Sequence, residues 1–174
     1  SVSHNVTDWD LLNYKVIAQR RENRQWVKIP PKVYFQRNSL KELQDLPDIS
    51  RVFIVTDEDM VKFGYAKRVL DQLNLRQNEV KFKLFDQVQR EPTTDIVDDG
   101  VKMMREFKPD TIIALGGGSV MDAAKGMWMF YEHPETSWNG VQQKYLDIRK
   151  RAYKIERPTK VQYIGIPTTS GTGS

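Results

Sequence analysis

The sequence predicts an α/β fold in which a mainly parallel sheet is flanked by helices. Short apolar runs rich in branched side chains alternate along the chain with segments whose apolar residues recur at helical spacing. Neighbouring runs are separated by enough residues to hold a helix, as a parallel pair of strands requires. The 174 residues are 39% hydrophobic and 29% charged, proportions typical of a folded globular domain rather than a disordered chain.

The predicted elements follow one another in strict alternation. Ser39 and Glu42 are predicted to form a capping box at the start of a short helix. The next helix is predicted to end at Asn74, and a third is predicted to begin within residues 92–95. The predicted strands are residues 33–35, 51–56, 80–85, 111–115 and 161–166, and the helices start near residues 39, 59, 93 and 119. The strand at 80–85 alternates only in part, which places it near a sheet edge. The resulting order is Rossmann-like.

The chain consists of two segments that differ in composition. Residues 1–28 are polar with scattered apolar anchors, which predicts an interdomain linker with a helical piece. Pro30 and Pro31 follow it, and they remove two backbone donors and favour extended conformations before them. Residues 29–174 are predicted to be a nucleotide-binding α/β domain.

Composition excludes several classes of protein. Without cysteine the chain has no disulfide and no thiolate chemistry, which fits a reducing compartment, and we predict the cytoplasm. No apolar run approaches the roughly 18 residues of a membrane span, and the polar start is not a signal peptide. The net charge is +4, with basic clusters within 20–28 and 149–160, but no nucleic-acid-reading motif accompanies them. We therefore predict neither a membrane nor a nucleic-acid partner.

The triple glycine Gly116, Gly117 and Gly118 is the strongest candidate binding feature. It follows the buried strand at 111–115 and precedes a helix whose first N–H groups have no intrahelical partner, an arrangement that favours a bound phosphate. The alternative is a tight turn without a ligand. Ser119 and Asp122 have the spacing of a helix cap, so they either cap this helix or contribute to the site.

Two further strand ends carry polar groups. Asp57 ends the strand at 51–56, where its carboxylate can accept hydrogen bonds from both ribose hydroxyls of an adenosine and would repel a 2′-phosphate, favouring NAD over NADP. Its alternative role is to cap the following helix. The loop 167–174 offers the hydroxyls of Thr168, Thr169 and Thr172 to a ligand, or else is a flexible loop. Ligands bind at the carboxyl ends of parallel strands, so these groups are expected to converge.

Other catalytic arrangements lack support in the sequence. The chain has neither the G-x-G-x-x-G order nor a P-loop. Its only histidines, His4 and His133, are far apart, and no pair of residues has metal-ligand spacing on a helix. No serine or cysteine nucleophile is matched with a histidine, so acyl transfer is not predicted.

The motifs at 116–125 and 167–174 together resemble the two nucleotide-site motifs of the iron-dependent (group III) alcohol dehydrogenases. Segments 30–35, 131–136 and 147–151 are similar to one branch of that family, the alcohol dehydrogenase half of bacterial bifunctional aldehyde/alcohol dehydrogenases. The resemblance therefore covers most of the chain.

The resemblance implies an enzyme that reduces acetaldehyde or similar aldehydes with NADH and iron, as a homo-oligomer or helical assembly. It implies that Asp57 holds the adenosine ribose, that Gly117, Gly118 and Ser119 contact the pyrophosphate, and that the three threonines lie along the cofactor. In that family one Asp and three His of a following helical domain hold the metal, so no residue here is assigned to iron and this chain alone is expected to be inactive. A related polyol or sugar-phosphate dehydrogenase and an assembly module remain the alternatives.

Overall fold

The computed structural model describes residues 32–135 and 160–169, which form a four-stranded parallel sheet with helices on both faces. The predicted linker 1–28 lies outside the described residues. In chain order the strands are β1 (Arg51–Val55), β2 (Lys81–Phe85), β3 (Thr111–Gly116) and β4 (Gln162–Pro167). The helices are a 3₁₀ helix (Ser39–Gln44), α1 (Glu58–Lys62), α2 (Tyr65–Asn74), α3 (Thr94–Phe107) and α4 (Gly118–Glu132). The predicted α/β fold is confirmed.

The sheet has the strand order β2-β1-β3-β4, and each neighbouring pair is parallel. Alternate residues of β1 and β3 face opposite layers because successive strand side chains point to opposite faces. Phe53 and Ile112 belong to the core shared with α3 and α4, whereas Ile54 and Ile113 belong to the core shared with α2 and the 3₁₀ helix. Both central strands are therefore covered on both faces, and their apolar runs are continuous rather than alternating.

The order in which strands are added to the sheet changes sides at β1. From β1 it passes to β2 at one edge, then returns to β3 on the other side of β1. The helices after β1 and β3 consequently pack on opposite faces, and a crevice is expected between the carboxyl ends of these two strands. This switch point, between the carboxyl ends of β1 and β3, is the expected position of a bound ligand.

Two predicted local structures are wrong. Residues 33–35 belong to no strand of the described sheet, and all three side chains are exposed, because an apolar triplet forms a strand only where it can pair with a neighbour. The capping box is also wrong, since Ser39 lies inside the 3₁₀ helix and Asn38, in the left-handed conformation, is the residue that precedes it.

The single helix predicted from residue 59 is divided into α1 and α2. Gly64 separates them, and its φ of 78° is a left-handed conformation that interrupts helical hydrogen bonding. The predicted end at Asn74 and the edge position of β2 are both confirmed.

Candidate functional site

Gly116 and Gly117 make the turn between β3 and α4. Gly116 is buried with φ 153°, and a Cβ atom added there would lie 2.7 Å from Cγ2 of Val120. Gly117 has an extended backbone and precedes α4, which begins at Gly118, one residue earlier than the sequence predicted. The turn therefore brings the first free N–H groups of α4 directly to the end of β3.

Ser119 lies inside the first turn of α4 and does not cap it, so the alternative that Ser119 and Asp122 form a helix cap is not realised. The Ser119 hydroxyl donates instead to the carbonyl oxygen of Arg90, in the loop between β2 and α3. Asp122 is exposed on the same helix. Neither the Ser119 hydroxyl nor Asp122 competes for the free N–H groups at the start of α4.

The loop after β4 reaches the glycine turn. The N–H of Thr168 donates to the carbonyl oxygen of Gly116 over 3.0 Å. A Cβ atom on Gly117 would lie 3.3 Å from Cγ2 of Thr169, so only glycine leaves this approach unhindered. The structure thus brings two of the three predicted ligand segments into contact, while Thr172 lies outside the described residues.

Asp57 follows β1 and caps α1. Its Oδ1 atom accepts a hydrogen bond of 2.9 Å from the N–H of Met60, and the residue is half-buried. The alternative that Asp57 serves as a helix cap is therefore realised. The cap uses Oδ1, so the second carboxylate oxygen is left out of this bond.

Thr56 connects the ends of three strand segments, and the sequence analysis missed it. It is fully buried, and its hydroxyl donates to the carbonyl oxygen of Leu115 over 2.7 Å. Its N–H donates to Phe85 and its carbonyl accepts from Val88. A threonine closing an apolar strand was the available signal, because a buried hydroxyl needs a partner.

The electrostatics of α4 involve a tyrosine of β4. Burial, and secondly the carboxylate of Asp122, raise the pKa of Tyr163 above its ordinary value. The Tyr163 hydroxyl donates to the carbonyl oxygen of Met121, and its ring packs on Trp128 with centroids 5.4 Å apart.

The described residues give no support to a resident iron. Within 32–135 and 160–169, no group of three or more histidine or acidic side chains is placed to hold a metal ion. None of the described helices combines the length and apolar character needed to cross a bilayer.

A four-stranded parallel sheet with helices on both faces, and with loops that meet beyond the carboxyl ends of its strands, defines the class of doubly wound α/β domains. The chain belongs to the iron-containing alcohol dehydrogenase family, whose model matches residues 30–174.

Similar proteins include aldehyde-alcohol dehydrogenases that match the whole chain. That of Streptococcus pneumoniae serotype 4 is 52% identical, and the bifunctional aldehyde-alcohol dehydrogenase of Escherichia coli K12 is 44% identical. The chain spans 20% of the length of each of these relatives. An NADPH-dependent butanol dehydrogenase of Clostridium saccharobutylicum is 36% identical over 84% of this chain and 35% of its own length.

A solved structure agrees with the fold. The iron-containing alcohol dehydrogenase of Thermococcus thioreducens aligns with a TM-score of 0.62 at 27% identity, covering 79% of this chain and 35% of that one.

Proposed function

We propose that this chain is the NAD(H)-binding domain of an alcohol dehydrogenase that reduces acetaldehyde or similar aldehydes to alcohols, within a bifunctional aldehyde-alcohol dehydrogenase. The convergence of three strand ends carries the proposal: a hydrogen bond joins the loops after β3 and β4, and the Thr56 hydroxyl joins the end of β1 to the end of β3. All three predicted binding segments thus lie at one edge of the sheet, at its switch point. The names of the two aldehyde-alcohol dehydrogenases, of which that of Escherichia coli is called bifunctional, support the wider assignment.

The glycine turn is the proposed site of the pyrophosphate. Gly118 begins α4, so its N–H and the next two point out of the helix, and the helix dipole favours an anion there. A side chain at Gly116 would collide with Val120, and one at Gly117 would crowd Thr169. Glycine at both positions therefore keeps the turn compact and leaves its backbone open to the phosphate. Ser119 is proposed to contribute its N–H rather than its hydroxyl, which already donates to Arg90.

The adenosine ribose is proposed to bind Asp57, with Thr168, Thr169 and Thr172 along the cofactor. Asp57 can cap α1 through Oδ1 and accept from a ribose hydroxyl through its other oxygen. Its negative charge would repel the 2′-phosphate of NADPH. Asp122 was predicted at the site as well, and its exposed position leaves that role a prediction.

Bound NADH would supply the hydride for aldehyde reduction. The residues of this chain would bind the cofactor and fix its orientation. Iron does not fit the described residues, which hold no group of three or more metal-ligating side chains. The homo-oligomer or helical assembly of the whole enzyme stays a prediction.

The choice between NADH and NADPH tests the proposal at Asp57. Asp57→Asn removes the charge and retains a side chain that caps helices well, so α1 should stay intact. We expect the ratio of the NADPH to the NADH dissociation constant to fall by about tenfold, as one lost charge repulsion near a binding site implies. Calorimetric titration of both cofactors measures it.

Glu58→Gln is the matched control, because it removes an adjacent and exposed carboxylate that does not cap α1. It should leave the ratio unchanged. Absence of NADH binding by the folded wild-type protein would refute the proposed function. An unchanged ratio in Asp57→Asn would refute only the role of Asp57.

A further inference from the structure

The hydroxyl of Thr56 spans the switch point of the sheet. The pairing of β1 with β3 ends at Val55 and Ala114, one residue before the hydrogen bond that Thr56 makes with Leu115. At Thr56 the main chain turns its N–H to Phe85 of β2. Both main-chain groups of Thr56 thus face the β2 side, while its side-chain hydroxyl donates in the other direction, to β3.

This bond joins the two halves of the proposed cofactor site. Thr56 immediately precedes Asp57, the proposed ribose ligand, and Leu115 immediately precedes the glycine turn, the proposed pyrophosphate ligand. The loops that follow β1 and β3 diverge to opposite faces of the sheet, so ladder hydrogen bonds cannot hold them together beyond this point. The Thr56 bond lies one residue beyond the last paired residues of the two strands, where the loops separate.

We propose that the Thr56 hydroxyl is a positioning group that fixes the spacing between the ribose site at Asp57 and the pyrophosphate site at the glycine turn. This inference rests on the proposed function. A ligand that contacts both sites gains affinity because the second contact is made at high effective concentration, and that gain depends on correct spacing. A ligand that contacts one site gains nothing from the spacing.

Three variants of Thr56 separate the effect of its hydroxyl from that of its bulk, and one variant of Thr111 is the control. Thr56→Val removes the hydroxyl at nearly constant volume, and Thr56→Ser retains it. Should Thr56→Val not fold, Thr56→Ala compared with Thr56→Ser isolates the hydroxyl, because these two differ in that group alone. Thr111→Val is the matched control, since Thr111 is equally buried and its hydroxyl donates to Asp110 at the opposite edge of the sheet.

The readout is the affinity of the wild-type protein and each variant for three ligands. NADH carries both ribose and pyrophosphate, adenosine carries ribose only, and inorganic pyrophosphate carries the diphosphate only. We expect Thr56→Val to weaken NADH binding by about tenfold and each of the smaller ligands by less than about twofold. Thr56→Ser should bind NADH as the wild type does, and Thr111→Val should lower the melting temperature without changing the affinity for NADH.

Several results would overturn the positioning role of Thr56. Equal NADH affinity in Thr56→Val and the wild type overturns the inference, as does an equal loss of affinity for all three ligands or a loss of NADH affinity in Thr111→Val. If Thr56→Val does not fold, equal NADH affinity in the serine and alanine variants overturns it. If the wild-type protein binds adenosine and pyrophosphate but not NADH, the inference fails together with the proposed function. If the wild type binds NADH and only the Thr56 comparison fails, the proposed function survives.

Discussion

Gly116 occupies a position where both the backbone and the available space exclude a side chain. Its φ of 153° lies in a region that residues with a Cβ atom rarely adopt, and Val120 occupies the place of the missing side chain. Val120 is itself buried and β-branched, so it has little freedom to move away. The geometry of the turn is therefore fixed by the fold, whether or not a ligand is bound.

Gly116→Ala should accordingly be strongly destabilising. We expect a loss of about 2–4 kcal/mol in the free energy of unfolding, from backbone strain together with the collision with Val120. Urea denaturation followed by circular dichroism measures the loss.

Gly64→Ala is the control for backbone conformation alone. Its φ is 78°, but a Cβ atom there would meet no other atom within 4 Å, so we expect a loss of about 1 kcal/mol. Similar losses in the two variants would contradict the role given to Val120.

Helices α3 and α4 approach each other closely on one face of the sheet. A Cβ atom on Gly100 of α3 would lie 2.4 Å from the sulfur atom of Met127 of α4. Gly126 of α4 lies opposite Val97, where an added Cβ atom would be 3.3 Å away. The two glycines thus differ in how much space the packing leaves them.

Replacing these glycines by alanine should give different results in the same pair of helices. Alanine favours a helix interior over glycine by about 1 kcal/mol. Gly126→Ala should keep much of that gain, whereas Gly100→Ala should lose about 1–2 kcal/mol of stability because buried Met127 must move. Thermal denaturation of both variants tests this difference, and a stabilised Gly100→Ala protein would show that Met127 adapts freely.

Helix α4 also contacts β4 through Tyr163, and this contact makes stability depend on pH. Burial raises the pKa of Tyr163 above the ordinary tyrosine value of about 10. Above that pH the unfolded chain loses the phenolic proton while the folded chain retains it, so the unfolded state binds fewer protons and stability falls as pH rises. Below about pH 10 both states are protonated and the contribution is constant.

Tyr163→Phe should remove this part of the alkaline destabilisation. We expect the wild type to lose up to about 1.4 kcal/mol more per pH unit than the variant above pH 10. Denaturant midpoints measured from about pH 8 to 11 give both slopes. Identical slopes in the wild type and Tyr163→Phe would contradict the assignment.

At the scale of the whole molecule, burial is concentrated in the two central strands. All six residues of β3 and four of the five in β1 are buried, whereas the first three residues of β2 are exposed. Local opening is least favourable where apolar contacts are densest. The amides of β1 and β3 should therefore exchange with solvent most slowly.

Hydrogen exchange with and without NADH should show where the cofactor binds. We expect added protection at residues 116–120, near Asp57 and at 168–169, and little change at the amino ends of the strands. Sulfate at the same ionic strength is the control for a non-specific anion. Protection spread evenly over the sheet would indicate general stabilisation instead of binding at the switch point.

The sequence predicts those parts of the fold that depend on local apolar patterns better than those that depend on tertiary contacts. Strands β1 and β3 and the stripe of α3 were predictable, because their apolar pattern reflects burial directly. The break at Gly64 was not, since glycine within a helical pattern is compatible with several conformations. Residues 33–35 had the apolar character of a strand but belong to no strand of the described sheet, because strand pairing is decided by the tertiary structure and not by local composition.

The same distinction holds within the candidate site. Gly116 to Gly118, Asp57 and the β4 loop were identified because each follows an apolar run. The bonds of Thr56 to Leu115 and of Ser119 to Arg90 join residues 59 and 29 positions apart. Local spacing contains no information about such partners, so it could not show that the alternative of a cap at Ser119 would not be realised.

The hydrogen bond from Thr168 to Gly116 gives the site an order of assembly. During synthesis the glycine turn leaves the ribosome about 50 residues before β4, and domains fold as they emerge. A nascent chain can form β1, β2 and β3 while the carbonyl of Gly116 still faces solvent. The carbonyl of Gly116 acquires this main-chain partner only when β4 arrives, so the proposed cofactor site is complete only after the last strand of the sheet has been made.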